Sequence, residues 1–179
     1  KFTMSAYEVS QLMATTGTTG LPKLCETTAN NLKCLVNPEI DAFELTRDDT
    51  GFITGFLWVG PSMAVQYPMP MLGGTLVMMS TFDAEQALKL IERERVTYVA
   101  GFPPHIIRMA THPDVDKYDL SSLRFVGYAG APFPEGVHEE AEEKLGVPVV
   151  SFYGSLDSMG CVVVPSDVPK EIRHKAGGK

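Results

Sequence analysis

The sequence predicts an α/β fold, a mostly parallel sheet with helices on both faces. Short apolar, β-rich runs alternate with amphipathic stretches of about ten residues, the pattern of strands joined by crossover helices. Several of these runs end in glycine with hydroxyl or acidic residues, and ligands of parallel sheets collect at such carboxyl ends. The 179 residues, 44% hydrophobic and 21% charged, suffice for one well-buried core.

Taken in order, residues 9–14 (Val-Ser-Gln-Leu-Met-Ala) read as a short buried strand running into a glycine-rich loop. Residues 28–36 read as a helix weakened by Asn30 and Asn31, and residues 52–59 as a strand after a turn over 47–51. Residues 75–79 follow Gly73-Gly74 as an apolar strand. A helix is expected from Asp83 to about Arg95. Asp83 caps it, Gln86 completes a capping-box pattern, and Ala84, Ala87, Leu88 and Ile91 recur at helical spacing. Strands follow at 96–100, 123–128 and 149–153. Between them lie a helix opened by Pro103-Pro104, with Ile106, Met109 and Ala110 on one side, and one opened by Pro134 and stopped by Gly146. In the latter, Val137, Ala141 and Leu145 face inward, while Glu139, Glu140, Glu142 and Glu143 read as a solvated face.

Charge and cysteine content exclude some functions. A net charge of −7 argues against a nucleic-acid partner, which needs a basic face. No apolar run reaches the roughly 20 residues of a membrane helix. Cys25, Cys34 and Cys161 form no C-x-x-C pair and, without a signal peptide, point to a reducing, cytoplasmic setting in which they fill apolar space. His105, His112, His138 and His174 have no metal-ligand spacing near them. The methionines Met63, Met69, Met71, Met78, Met79 and Met109 read as core packing.

The chemistry concentrates at residues 15–23, Thr15-Thr16-Gly17-Thr18-Thr19-Gly20-Leu21-Pro22-Lys23. Two glycines let the backbone turn and approach a ligand, the hydroxyls donate without adding charge, and the lysine reaches phosphate as a point charge. A Walker A loop is excluded, because Pro22 stands five positions after Gly17 and Lys23 is followed by Leu24. A G-x-G-x-x-G dinucleotide fingerprint is excluded because neither glycine has a partner two residues away. Two further glycine-rich strand ends, 127–132 (Gly-Tyr-Ala-Gly-Ala-Pro) and 153–158 (Tyr-Gly-Ser-Leu-Asp-Ser), are expected to face the same crevice.

Residues 16–23 resemble the S/T-G-T-T-G-x-P-K phosphate loop of the adenylate-forming superfamily, the acyl-CoA synthetases, luciferases and adenylation domains of peptide synthetases. Residues 127–132 resemble its G-G-A-P loop and 153–157 its Y-G-x-T-E motif. Phe82-Asp83, Val96-Thr97, Pro103 and residues 118–124 match the family's spacing between them. The resemblance spans nearly the whole chain and implies that residues 1–179 are the central ATP-binding portion of an acyl-CoA synthetase-like N-terminal domain. The preceding part and the C-terminal lid domain are expected outside it, and 179 residues alone are expected to be inactive.

The resemblance implies that a carboxylic acid is activated with ATP and Mg²⁺ and then passed to coenzyme A. Thr16, Gly17, Thr18, Thr19, Gly20 and Lys23 would hold the β- and γ-phosphates. Gly130, Ala131 and Pro132 would lie along the adenine, with Tyr153, Gly154 and Ser155 beside it. Asp157 would hold Mg²⁺, with Thr18 and Lys23 acting on the leaving pyrophosphate. Trp58, Tyr128, Ser158, Met159 and Gly160 would form the acid pocket, whose aromatic walls and lack of an acidic residue suit an apolar acid rather than an amino acid. Departures stand at Leu156 for threonine, Asp157 for glutamate, Leu24 for glycine and Thr27-Thr28 for Thr-His. Leu156 cannot donate to the α-phosphate, so weakened adenylation is expected unless Ser155 or Ser158 supplies the hydroxyl. A nucleotide- or acyl-binding module without turnover is the alternative, and a ligand-free structural fragment the third.

Overall fold

The computed structural model describes residues 5–15, 20–134, 136–156 and 160–176. Strand β1 (Val9–Ala14) pairs antiparallel with β2 (Leu24–Thr28), with Ala14 opposite Leu24. The glycine-rich segment therefore joins two strands of a hairpin that stands apart from the main sheet. Most of β1 is exposed, against the buried strand expected, because the hairpin rests on the body through few side chains. Gln11 accepts from the Tyr67 hydroxyl at 2.9 Å, and Met13 packs on Leu35, Val36 and Met63.

Helix α1 (Ala29–Ala42) starts one residue later and ends six later than the spacing suggests. Asn31 strengthens its start. The Thr28 hydroxyl accepts from the Asn31 backbone N–H at 3.2 Å, and the Asn31 side chain accepts from the Thr28 N–H at 3.0 Å, a reciprocal cap. The helix passes through Pro38, which removes one N–H from its ladder.

The main sheet contains β3 (Thr50–Ile53), β4 (Thr75–Met78), β5 (Tyr98–Gly101), β6 (Phe125–Tyr128), β7 (Val149–Ser155) and β8 (Gly160–Val163). They lie in the order β4-β3-β5-β6-β7-β8, parallel except for β8, which pairs antiparallel with β7. Strand β3 ends at Ile53, short of the 52–59 run. Gly55 and the Gly60-Pro61 pair break that run, and 60–62 form a single 3₁₀ turn. Alternation along the strands sends side chains to two cores. Phe52, Val99, Val126, Tyr128 and Val149 face α4 (Ala84–Glu94), α5 (Pro103–Ala110) and α6 (Val137–Leu145). Ile53, Tyr98, Ala100, Phe125, Val150 and Phe152 face the end of α1, α2 (Met63–Gln66) and α3 (Pro68–Leu72). Both faces are thus covered, as the α/β pattern requires.

The expected inward stripes of α4 and α5 are buried as written. Asp83 accepts from the Gln86 N–H at 2.9 Å. Helix α6 begins at Val137 rather than Pro134, after Gly136 at φ 79°. Its inward face is His138, Ala141, Glu142 and Leu145, so Glu142 is not solvated. Helix α7 (Lys170–Ala176) docks on it. Met63, Met69 and Met109 are core residues, whereas Met71 and Met78 are half-exposed. Cys34 is exposed and Cys25 half-buried, so neither is a fully buried filler; the Cys161 side chain lies outside the described residues.

The amino ends of three strands are tied by one carboxylate. Asp49, 5% exposed, accepts from the Thr97 hydroxyl at 2.7 Å, the Arg124 guanidinium at 2.8 Å and the Thr46 N–H at 2.8 Å. Burial alone would raise its pKa, but the Thr97, Thr46 and Arg124 hydrogen bonds outweigh burial and hold it below the ordinary carboxylate value. Arg124 also donates to the Phe43 carbonyl at 2.7 Å. Asp49→Ala would strand the Thr97 and Arg124 donors, and urea unfolding is expected to show a loss of about 2–3 kcal/mol. A change within about 0.5 kcal/mol, the scale of a neutral surface substitution, would contradict this role.

Candidate active site

The hairpin holds the glycine-rich segment by its base. The Thr15 N–H donates to the Lys23 carbonyl at 2.9 Å, and the Lys23 N–H donates to the Thr15 hydroxyl at 3.1 Å. The Lys23 side chain starts from this closed base and is exposed. Gly20 is exposed too, and among the described residues a Cβ added there meets nothing within 4 Å. Backbone can be reached by a ligand at that point. Thr16, Gly17, Thr18 and Thr19 lie outside the described residues.

The second segment is a true parallel strand end. Strand β6 finishes at Tyr128, and the Ala129 N–H then bonds the Gly101 carbonyl at 3.2 Å, holding the following turn against β5. Gly130 adopts φ 87°, the left-handed region in which a side chain is strained. Ala131 and Pro132 are exposed. Gly127 serves packing instead, since a Cβ there would collide with the Phe152 ring.

The third segment differs from the loop expected. Tyr153, Gly154 and Ser155 remain in β7, with Tyr153 opposite Val162 and Ser155 opposite Gly160. The Tyr153 ring is 75% exposed, open on one side as a stacking platform needs. Asp157, Ser158 and Met159 lie outside the described residues, as does any side-chain detail at Gly160. Leu156 begins the connection between β7 and β8 and packs on the apolar cluster of Leu35, Val36 and Met63.

That cluster draws two motifs together. Met13, two residues before Thr15, and Leu156, next to Asp157, both pack against it. The β1–β2 hairpin and the β7–β8 hairpin are therefore pinned on a common base, although only 127–132 is an end of the parallel sheet. The segment containing Trp58 is an exposed aromatic loop. Its indole stacks on Phe56 at 4.5 Å and is 70% exposed, and the Ser62 hydroxyl holds the loop by donating to the Phe56 carbonyl at 2.6 Å. Tyr128 is placed differently from Trp58. Its ring is 2% exposed, set against Phe133 and His138 in the core.

Two groups were not legible as site residues. His105 bonds the Thr54 hydroxyl through Nδ1 at 3.0 Å and stacks on Phe82 at 4.1 Å. Burial, and then the Arg108 charge, lower its pKa. Glu142 is the second. It accepts from Arg173 at 2.7 Å, the Val149 N–H at 2.8 Å and His174 Nε2 at 3.0 Å. His138, Glu142 and His174 bring donor atoms within 4.8 Å of one another. Both Glu142 oxygens are already occupied and Arg173 supplies the opposing charge, so the group acts as a closed ion-pair clamp of α7 on α6. Its sequence signal is the spacing 138, 141, 142, 145, one helix face. A cavity of about 590 Å³ beside Met79, Thr81, Lys89 and Arg93 shares no residue with the three motif segments.

A family model described as AMP-binding enzyme matches residues 3–178. The chain is 33% identical over 164 residues to indoleacetate–CoA ligase of Aromatoleum aromaticum, covering 91% of this chain and 32% of that protein. It is 34% identical over 160 residues to a feruloyl-CoA synthase of an Amycolatopsis species, covering 88% and 32%. Among solved structures, the amide bond synthetase McbA from Marinactinospora thermotolerans is 29% identical, covering 86% of this chain and 30% of that one, with a TM-score of 0.70. The Bacillus subtilis O-succinylbenzoate coenzyme A synthetase, in complex with ATP and magnesium ion, shares the fold at TM-score 0.83 and 24% identity, covering 94% and 35%. The chain belongs to the AMP-binding enzyme family. It spans about a third of the length of these relatives. No helix among the described residues is long and apolar enough to cross a membrane.

The clamp sets an acid response. Burial lowers the pKa of His138, against the opposing pull of the Val149 carbonyl. An unfolded chain therefore takes up this proton first, so the stability is present above the ordinary value of 6.5 and lost as pH falls below it. Glu142, lowered by Arg173, Val149 and His174 against its burial, adds stability above 4.5 that is lost below that value. Thermal melts are expected to fall in two acid steps, the first beginning near pH 6.5, and His138→Gln is expected to shrink the first, with His105 supplying the remainder. An unchanged first step would show that His138 does not set it.

Proposed function

We propose that this chain is the nucleotide-binding part of an ATP-dependent acid–CoA ligase. The reaction forms an acyl-adenylate and then a coenzyme A thioester. A carboxylate oxygen attacks the α-phosphorus of ATP, the bond to the β-phosphate oxygen breaks, and pyrophosphate leaves. The thiol sulfur then attacks the acyl carbon, and AMP departs with the former carboxylate oxygen. The observation that carries this proposal is the shared cluster of Leu35, Val36 and Met63, which receives Met13 from one motif hairpin and Leu156 from the other. Family membership, and the CoA-ligase names of both relatives, support the same reaction.

In this scheme Thr16, Thr18, Thr19 and Lys23 hold the β- and γ-phosphates and neutralise the leaving group, where fixed donors are worth most. Gly130, Ala131 and Pro132 line the adenine, with Tyr153, Gly154 and Ser155 at its side. Asp157, in the connection between β7 and β8, is the carboxylate that would hold Mg²⁺. The ion neutralises phosphate oxygens when bound. Trp58 and Phe56 offer a planar apolar surface, and together with Ser158, Met159, Gly160 and the backbone around Tyr128 they suit an aromatic acid of the indoleacetate or ferulate type.

A binding module without turnover is the second reading. The Leu156 position favours it, because an apolar side chain packed on Leu35 and Met63 offers the α-phosphate no donor. ATP–pyrophosphate exchange on the full-length protein separates the two. The ligase reading predicts exchange that depends on an aromatic acid and exceeds exchange with amino acids, falling about 100-fold in Lys23→Ala. Binding of MgATP without exchange would establish the module instead.

A further inference from the structure

One aromatic ring lies between two of the segments assigned above, and nothing in the three motifs contains it. Phe102 follows β5 in extended conformation, φ −100° and ψ 151°, as the cap of α5. The Pro103-Pro104 pair after it restricts its backbone to that region. The two edges of its ring meet different loops. A Cβ added at Gly55, at the start of the Phe56–Trp58 loop, would lie 3.2 Å from Cε2 and 3.6 Å from Cδ2. A Cβ added at Gly130 would lie 2.9 Å from Cε1 and 3.1 Å from Cδ1. Each loop presents bare glycine backbone to the ring, and the ring fills the gap between them edge to edge.

The ring is itself held. His105 packs against it edge-on at 5.7 Å, and His105 is fixed by the Thr54 hydroxyl at 3.0 Å and the Phe82 ring at 4.1 Å. The backbone on both sides is tied to β5, Thr54 N–H to the Ala100 carbonyl and Ala129 N–H to the Gly101 carbonyl, each at 3.2 Å. A half-buried ring backed by His105 and wedged against glycine backbone on both edges passes a displacement of one loop to the other.

We infer that Phe102 is a positioning residue that couples the acid-side loop to the nucleotide-side loop, so that occupancy of one favours the fit of the other. This rests on the assignment of those loops under the proposed function. Gly130 cannot take a side chain without strain at φ 87°, so the Gly55 edge is the place to probe the coupling. An added methyl there pushes the ring by a few tenths of an ångström toward the nucleotide side.

The test uses the full-length protein and isothermal titration calorimetry with AMP and indoleacetate, each alone and with the other saturating. Failure of the wild type to bind AMP would sink the functional assignment itself. Where it binds, indoleacetate and AMP are expected to strengthen each other's binding by roughly 5-fold or more. Phe102→Leu, which cannot reach both loops, is expected to bring that factor to about 1 with each single affinity changed less than about 3-fold. Phe102→Tyr is expected to keep it. Gly55→Ala, on the acid side, is expected to alter AMP affinity, and Phe102→Leu in the same chain to relieve that effect. Retained mutual strengthening in folded Phe102→Leu, or an AMP affinity indifferent to Gly55→Ala, would overturn the inference. The Gly55→Ala arm decides the matter should Phe102→Leu fail to fold.

Discussion

The Asp49 carboxylate is the constraint on which the geometry depends. By accepting from Thr97 and Arg124 it sets the starts of β5 and β6 against its own strand, β3. Parallel pairing carries that alignment forward, Phe52 beside Val99 and Val99 beside Val126. The strands are short, so an alignment fixed at their amino ends is delivered with little slack to Gly55, Phe102 and Gly130 just beyond their carboxyl ends. A one-residue slip would exchange the two cores, sending Val99 and Val126 to the face that Tyr98 and Phe125 occupy.

The segment proposed to hold phosphate joins β1 and β2, which pair apart from this sheet. The β1–β2 hairpin stands as a separate arm while β7–β8 forms an edge of the sheet, and both rest on the base of Leu35, Val36 and Met63 through Met13 and Leu156. The turn at 129–132 and the loop at 55–58 are held by backbone bonds to β5 and by the Phe102 ring.

Much of this was legible. The stripes of α4 and α5, the five parallel strands and the three motif segments follow from periodicity and glycine placement. Long-range pairing was not. Residues 24–28 read as nothing by themselves and become β2 only because β1 lies opposite, so the glycine segment passed for a strand end rather than a hairpin connection. The apolar run 52–59 outlasts its strand, because Gly55 and Gly60-Pro61 break the backbone that its hydrophobicity alone would extend. Glu142 was misjudged by its charge; its place on the 138, 141, 142, 145 face was visible, but its partners Arg173 and His174 lie some thirty residues on. Asn31 was counted against a helix that it caps, because propensity for the helix interior has the opposite sign at its start.

In the proposed reaction the motif segments serve carboxylate attack on the α-phosphorus of ATP. Its most direct measurement follows oxygen. The full-length protein would be supplied with ATP, coenzyme A and an aromatic acid labelled with ¹⁸O at both carboxylate oxygens, and the products read by mass spectrometry. One labelled oxygen in AMP, with none in pyrophosphate, is the result this account predicts. Formation of ADP with the label in inorganic phosphate, or AMP without label, would contradict it.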